Sequence, residues 1–291
     1  MPMKILLLGS SGMLGQELAR QLIKAGQSTL QPKRDELDLS LPQQLERYLL
    51  SHRPELIINA AAYTQVDQAE QEPEQAWQLN AQLPKQLAEY CQEHQAKLMH
   101  YSTDYVYSGE GTEPWVEQSA TQPLNQYGAS KLAGDQAIMA SDCEYWIFRT
   151  SWVFAPYGKN FMTTMLKLAD KDELRIVDDQ IGAPTSTRLL AEVSLQAIQS
   201  FDFGLYHLCS TGHLSWYQFA ERIFTQAQSL GLINNSPMLQ PCTSAEYPTL
   251  AQRPKNSRLE LKKTQNALGK ILPSWQDELQ LALLTIKEGA S

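Results

Sequence analysis

Four cysteines are all that the 291-residue chain holds, and Cys91, Cys143, Cys209 and Cys242 form no C-x-x-C spacing. Neither a zinc site nor a disulfide framework is indicated, and reduced, mostly structural thiols in a cytoplasmic protein are expected. The five histidines contain no ligand-like pair, so no metal site is expected. No apolar run approaches about 18 residues, which argues against a membrane span. The first apolar run, residues 4–8, enters a glycine turn at once with no cleavage site, so it reads as a buried strand and not a signal peptide. No basic tract stands out and the net charge is -8, which argues against a nucleic-acid partner. Internal repeats and low-complexity linkers are absent as well.

What is present is a regular alternation. Residues 4–8 form the continuous apolar run that a strand covered on both faces requires. Residues 13–24 have helical spacing, with Leu14, Leu18 and Leu22 on one face. Further strands are expected over 28–31, 56–59, 97–102 and 145–150. Helices are expected over 42–51, opened by Ser40 and Pro42, over 73–92 with a break or kink at Pro84, and around 127–131. This alternation predicts an α/β fold, a Rossmann-type doubly wound parallel sheet. Residues 1–155 are assigned to an NAD(P)-binding domain, with segments around 172–205 returning to it. Residues 156–291 are assigned mainly to a smaller α/β substrate-binding domain. In that half the pattern loosens: helices over 161–169 and 189–200, strands over 175–177 and 205–209, and a proline-rich loop over 234–258, the kind of long loop that often carries binding function.

Gly9-Ser-Ser-Gly12-Met-Leu-Gly15 lies between the first strand and the first helix. That is the context of a dinucleotide loop, although the spacing is G-x-x-G-x-x-G and not G-x-G-x-x-G. The first glycine permits the turn, the second lets the backbone approach a pyrophosphate, and the third lets helix pack on strand. The helix N-terminus supplies free N–H groups to the phosphates. The acid that would hold a ribose 2′-hydroxyl after the second strand is missing until Asp35. Lys33 and Arg34 stand there and suit a 2′-phosphate, so NADPH is expected to serve at least as well as NADH.

Tyr127 and Lys131 share one helix face in Asn125-Gln-Tyr-Gly-Ala-Ser-Lys131. A phenol beside an ammonium is a candidate proton donor whose pKa the cation lowers. Thr103, after the fourth strand, is placed to donate a hydrogen bond to a substrate carbonyl oxygen. Together with the glycine loop these residues point to carbonyl reduction.

The combination resembles the extended short-chain dehydrogenases/reductases, and most closely the dTDP-4-dehydrorhamnose reductase family. The resemblance is carried by Asn59-Ala-Ala-Ala-Tyr-Thr-Gln-Val-Asp67, Tyr101-Ser-Thr-Asp-Tyr-Val106, Pro123-Leu-Asn-Gln-Tyr-Gly128 and Ser130-Lys-Leu-Ala-Gly134. It continues through Phe148-Arg-Thr-Ser-Trp152, Asp179-Gln-Ile-Gly-Ala-Pro-Thr185 and Tyr247-Pro-Thr-Leu-Ala-Gln-Arg-Pro-Lys-Asn-Ser257. It implies NAD(P)H-dependent reduction of a dTDP-linked 4-keto-deoxysugar for surface polysaccharide synthesis. It also implies roles: Gly12, Met13 and Leu14 on the pyrophosphate; Asp38 and Leu39 near the adenine; Ala62, Tyr63 and Thr64 along the cofactor, with Tyr101 nearby. Thr103 and Asp104 would touch the sugar, Trp152 would pack on its ring, and Arg253 would grip the diphosphate. Tyr127 would be the acid, with Lys131 its partner on the cofactor ribose. Some members gather Mg²⁺ between subunits. Glu17 matches one of their carboxylates, but Arg188 stands near the second, so a monomer or a dimer without bridging metal is expected. A reductase of another 4-keto-deoxysugar nucleotide is the sister alternative. The rival from a different class is a non-catalytic NADP-binding subunit like the regulatory one of methionine adenosyltransferase.

Overall fold

The computed structural model describes residues 3–289. Six parallel strands form its central sheet: β1 (Ile5–Leu8), β2 (Thr29–Leu30), β3 (Leu56–Asn59), β4 (Lys97–Thr103), β5 (Glu144–Thr150) and, from far along the chain, β10 (Gly204–His207). Their order is β10-β5-β4-β3-β1-β2, so the strand order reverses beside β1, and the crevice at the carboxyl ends lies there. The sheet is covered on both faces, as the unbroken apolar strands require. Ile5 and Leu7 face one core with Leu18 and Leu22 of α1 (Met13–Lys24). Leu6 and Leu8 face the other, with Leu45 and Leu49 of α2 (Pro42–His52). Pro42 opens α2, but the cap position is Leu41 and not Ser40, whose N–H and hydroxyl bind Asp38 instead.

The expected helix over 73–92 is three pieces after the short α3 (Val66–Ala69): α4 (Pro73–Trp77), a π turn over Gln78–Gln82, and α5 (Leu83–His94). Pro84 falls in the first turn of α5, where its missing N–H is tolerated. The wider π turn places Asn80 inward. Its carbonyl sits where a Cβ on Gly134 would lie 2.1 Å away, so only glycine lets α6 (Gln126–Met139) pack there.

After β5 come β6 (Val153–Phe154), α7 (Phe161–Lys167), β7 (Glu173–Val177), β8 (Ile181–Gly182), β9 (Thr185–Ser186) and α8 (Thr187–Ser200). Helix α8 packs on α1 before β10 joins the sheet beside β5. Beyond β10 lie β11 (Leu214–Ser215), α9 (Trp216–Ser229), β12 (Met238–Cys242), α10 (Lys262–Leu268) and α11 (Trp275–Gly289). Strand β7 pairs with β12, outside the central sheet. The proline-rich loop thus contributes a strand, since Pro241 sits where β12 is an edge of a two-stranded ribbon. A third core joins Phe154, Met162, Phe219, Ile223, Trp275 and Leu279, built from α7, α9 and α11. All four cysteines are buried and free. No helix of the described residues is long and apolar enough to cross a membrane.

Candidate active site

Gly9 follows β1 with φ +76°, a conformation that favours glycine, and a Cβ there would lie 2.7 Å from the backbone of Ala60 after β3. A Cβ on Gly15 would meet the Gly9 carbonyl at 2.0 Å. Gly12 caps α1 in extended conformation and would itself accept a Cβ at 3.4 Å, so its bare backbone faces the crevice without being forced to. The first turn of α1 carries no acid. A cradle that side chains would fill, at an uncapped helix N-terminus, fits a pyrophosphate. Met13 is roofed: its carbonyl accepts from the Tyr157 hydroxyl at 3.2 Å, while Leu14 packs into the core. Beyond β2, Arg34 and Lys33 are exposed. Asp38 is folded into its own turn, where the Ser40 hydroxyl (2.7 Å) and N–H (2.9 Å) hold its carboxyl below the usual range. Leu39 packs against the core under α2.

At the carboxyl end of β4, the Thr103 hydroxyl donates to Asp104 Oδ1 at 3.2 Å and accepts from Tyr105 N–H at 3.1 Å. Helix α6 starts beside it because Asn125 caps Gly128 N–H at 2.7 Å. A Cβ on Gly128 would lie 2.3 Å from the Tyr105 carbonyl, so glycine sets how close the helix comes. The Tyr127 phenol stands beside the Thr103 hydroxyl, and its ring meets Tyr105 edge-on at 5.6 Å. Burial pushes the phenol up to about 12, with the Thr103 hydroxyl only partly opposing this. Here the expectation is not met: the Tyr127 phenol is not pulled down, because Lys131 Nζ is engaged by β4 instead. Lys131 Nζ donates to the Tyr101 carbonyl at 2.6 Å and lies 3.2 Å from His100 Nε2. Burial lowers Lys131 to about 8, opposed by Asp135 one turn further along the helix. Tyr101 contributes its carbonyl and not its ring, whose hydroxyl is bonded to Ser194 of α8 at 2.6 Å.

Asp104 is buried, and that burial raises its carboxyl to about 7 against the Ser257 and Thr103 hydroxyls. Ala62, Tyr63 and Thr64 follow β3. The backbone of Tyr63 is clamped by the Asn80 amide at 2.9 and 3.0 Å, and its phenol donates to Glu72 at 2.9 Å, so its ring packs against Ala69 and Ala76. Trp152, after β5, has φ +48° and stacks on Trp216 with centroids 3.5 Å apart and planes 8° from parallel. Arg253 is held bidentate by Asp67 of α3 at 3.0 and 2.7 Å, and its loop is tied to the start of α6 by Asn125 Nδ2 donating to the Gln252 carbonyl at 2.8 Å. Glu17 is engaged by Gln21, and Arg188 by Glu192 and Glu278. Among the described residues no group of three or more His, Cys, Asp or Glu is placed to hold a metal ion.

Several groups escaped the sequence reading. Asp135 continues the Tyr127–Lys131 spacing by four more residues, a signal that was available. Its carboxylate, fully buried, pairs with Arg149 of β5 at 3.0 Å. Arg149 also donates to the Tyr107 hydroxyl at 2.9 Å, which is 2.6 Å from His207 Nε2. His100, Asn59, Asp67 and Trp216 stand at the site through strand register and loop packing, which no spacing announces.

The likeness to known proteins follows the same lines. The family model described as the RmlD substrate binding domain matches residues 3–287. The dTDP-4-dehydrorhamnose reductase of Escherichia coli (strain K12) is 42% identical over 283 residues, 94% of this chain and 95% of that protein. The crystal structure of a dTDP-4-dehydrorhamnose reductase from Clostridium acetobutylicum superposes with a TM-score of 0.92 at 35% identity, covering 98% of this chain and all of that one (100%). That of the Bacillus anthracis reductase in complex with NADP gives 0.91 at 34% identity, covering 98% and 100%. The chain belongs to the dTDP-4-dehydrorhamnose reductase family.

Proposed function

We propose that this protein reduces the 4-keto group of dTDP-4-dehydro-L-rhamnose to give dTDP-L-rhamnose, using NAD(P)H. The observation that carries the reading is that Thr103 ends β4 and Tyr127, in the first turn of α6 and packed on Tyr105, stands beside it, at the same carboxyl edge of the sheet as the glycine cradle. In this reading Gly9, Gly12, Met13, Leu14 and Gly15 hold the pyrophosphate, and Ala62, Tyr63 and Thr64 line the dinucleotide. Arg34 is the cation for a 2′-phosphate, with Asp38 and Leu39 near the adenine. Residues 1–155, joined by α8 and β10, bind the cofactor, and the remainder of 156–291 binds mainly the sugar nucleotide.

The bound cofactor supplies the hydride. Tyr127 presents its hydroxyl to the ketone oxygen, and Thr103 joins it by turning its single hydroxyl hydrogen from Asp104 Oδ1 to that oxygen; the two donors stabilise the developing alkoxide. Tyr127 then gives up its proton. A phenol raised to about 12 is fully protonated at neutral pH, which is the form an acid needs. Asp104 orients the Thr103 hydroxyl and is near enough to accept from a sugar hydroxyl. Trp152, fixed by Trp216, offers an apolar face to the deoxysugar ring. Arg253 exchanges Asp67 for the substrate diphosphate, to which its planar fork is suited.

The test is loss of reduced-nicotinamide absorbance with dTDP-4-dehydro-L-rhamnose. Tyr127→Phe is expected to lose about 10²–10⁴ in kcat. No turnover by wild type, or an unchanged rate in the variant, would overturn the reading in favour of a non-catalytic NADP-binding subunit. Comparing kcat/KM for NADPH and NADH tests Arg34, since a strong NADH preference contradicts its role.

A further inference from the structure

Behind Lys131 runs a chain of buried polar contacts that the reaction as described does not use. Asn59 ends β3 and His100 lies opposite it in β4. Both are at most 1% exposed, and Lys131 2%. The Ala61 N–H donates to Asn59 Oδ1 at 3.2 Å, Asn59 Nδ2 lies 3.1 Å from His100 Nδ1, and His100 Nε2 lies 3.2 Å from Lys131 Nζ.

The direction of these bonds is fixed from one end. A backbone N–H only donates, so the Asn59 carbonyl oxygen is committed to Ala61 and its NH₂ faces the imidazole. His100 Nδ1 must then offer its lone pair. A neutral imidazole carries its hydrogen on the other nitrogen, and that N–H points at Lys131. An ammonium has no lone pair to receive it. The contact is satisfied only if Lys131 is a neutral amine, which still has N–H groups for the Tyr101 carbonyl. The alternative is the reversed chain. There the Asn59 amide turns over and releases Ala61, His100 Nδ1–H donates to Asn59 Oδ1, and Nε2 accepts from the ammonium.

We propose that Asn59 and His100 form a two-state relay that holds Lys131 as an amine in the cofactor-free protein and reverses when NADPH binds, so that binding takes up a proton. The net proton comes from solvent or buffer: the His100 Nε2–H bond breaks as its proton passes to Lys131 Nζ, and a new Nδ1–H bond forms with the proton taken up, so one N–H bond breaks, two form, and the imidazole ends neutral in its other tautomer. His100 is a positioning residue, acting on the site only through Lys131. The inference rests on the reading of the crevice as a dinucleotide site with Lys131 on the ribose, because a polyanion brought to that side favours the ammonium. The groups that face Lys131 leave the balance close. Asp135 of its own helix favours the cation, Arg149 of β5 offsets Asp135, and Tyr127, His100 and the Ser102 and Thr103 hydroxyls of β4 are uncharged. Burial moves the same way, lowering Lys131 to about 8 and His100 well below the ordinary range. Ala61 immediately precedes the segment Ala62–Thr64 read as lining the cofactor, so releasing or engaging its N–H links the relay to the ligand mechanically as well.

The test is calorimetry of NADPH binding to the full chain near pH 8 in buffers of different ionisation enthalpy. The dependence of the observed heat on buffer gives the protons taken up. Wild type is expected to take up a sizeable fraction of one proton. In His100→Gln the side-chain carbonyl accepts from the ammonium in both states, so uptake is expected to fall towards zero while NADPH still binds. Tight binding without proton uptake in wild type, or undiminished uptake in His100→Gln, overturns the relay. Failure of NADPH to bind at all overturns the cofactor reading itself and the relay with it. Imidazole nitrogen NMR of the cofactor-free protein gives a second check that needs no variant. The Nε2–H tautomer is expected for His100, and the Nδ1–H tautomer is incompatible with the proposal.

Discussion

The floor of the site, where α6 lies on β4 and β5, excludes water, whereas its rim, where Arg253 and Trp152 stand, admits it. On the floor, Lys131, Asp135 and Arg149 are each at most 2% exposed: Lys131 donates to the Tyr101 carbonyl, and Arg149 is shared between Asp135 Oδ2 and the Tyr107 hydroxyl, while Asp135 Oδ1 has no hydrogen-bond partner among the described residues. On the rim, the side chains of Arg253 and Asp67 are 23% and 42% exposed. Burying charge is costly unless it is fully paired, so floor geometry is held by interactions that cannot be removed one at a time. An ion pair partly open to water is screened and exchangeable, which suits a group that must change partners when substrate arrives. Changes in the floor should therefore appear in stability and kcat, and changes in the rim in KM.

The largest expected effect tests the floor. Asp135→Asn leaves the Arg149 guanidinium buried without its carboxylate, a change of the kind that costs about 3–5 kcal/mol. It also removes the one carboxylate that favours the Lys131 ammonium. Denaturant unfolding should show the loss, and the double variant Asp135→Asn with Arg149→Met should recover most of it. An unchanged midpoint in the single variant would mean that the pair is not part of the floor's support.

The same division explains what could be read from the sequence. The central sheet was legible because strands covered on both faces are written as unbroken apolar runs such as Ile5-Leu-Leu-Leu8, and because Gly9 and Gly15 have steric reasons visible in their spacing. Tyr127 and Lys131 were legible as neighbours on a helix, but the direction in which Lys131 points was not. It is set by the Tyr101 carbonyl and His100, which reach it only through the pairing of β4 with its neighbours. Helices α9 and α11 went unread although both pack firmly through Phe219, Ile223 and Leu279. Strand β12 was hidden by Pro241, which is tolerated because its ribbon has only two strands. Trp216 was invisible for a related reason: it stacks on Trp152, more than sixty residues away in sequence, so no local pattern announces it.

The rim supplies the next effect. Arg253→Ala should raise KM for the sugar nucleotide by about 10–100-fold, since charge-assisted hydrogen bonds are worth about 1.5–3 kcal/mol. Its kcat and its melting temperature should stay near wild type, because an exposed pair contributes about 0–1 kcal/mol to folding. Arg253→Lys should recover little, as a point charge lacks the planar fork. A fall in kcat with KM unchanged would place Arg253 on the floor and break the division.

Asp104 lies at the seam, buried like the floor yet adjacent to where substrate enters, and its effect depends on pH. Its carboxyl is raised to about 7 in the folded chain, chiefly by burial, against about 3.9 for an ordinary aspartate. A raised carboxyl binds its proton more tightly in the native state than in the unfolded one. The stability it contributes is present below about pH 4 and is lost as pH rises towards 7, where the buried group must ionise. Asp104→Asn keeps an oxygen to accept from Thr103 and cannot ionise. Its melting temperature relative to wild type should therefore rise across pH 4 to 7 and level off above. A difference that stays flat across that range would mean that Asp104 is already hydrated when unliganded, and that the water-free floor ends at Thr103.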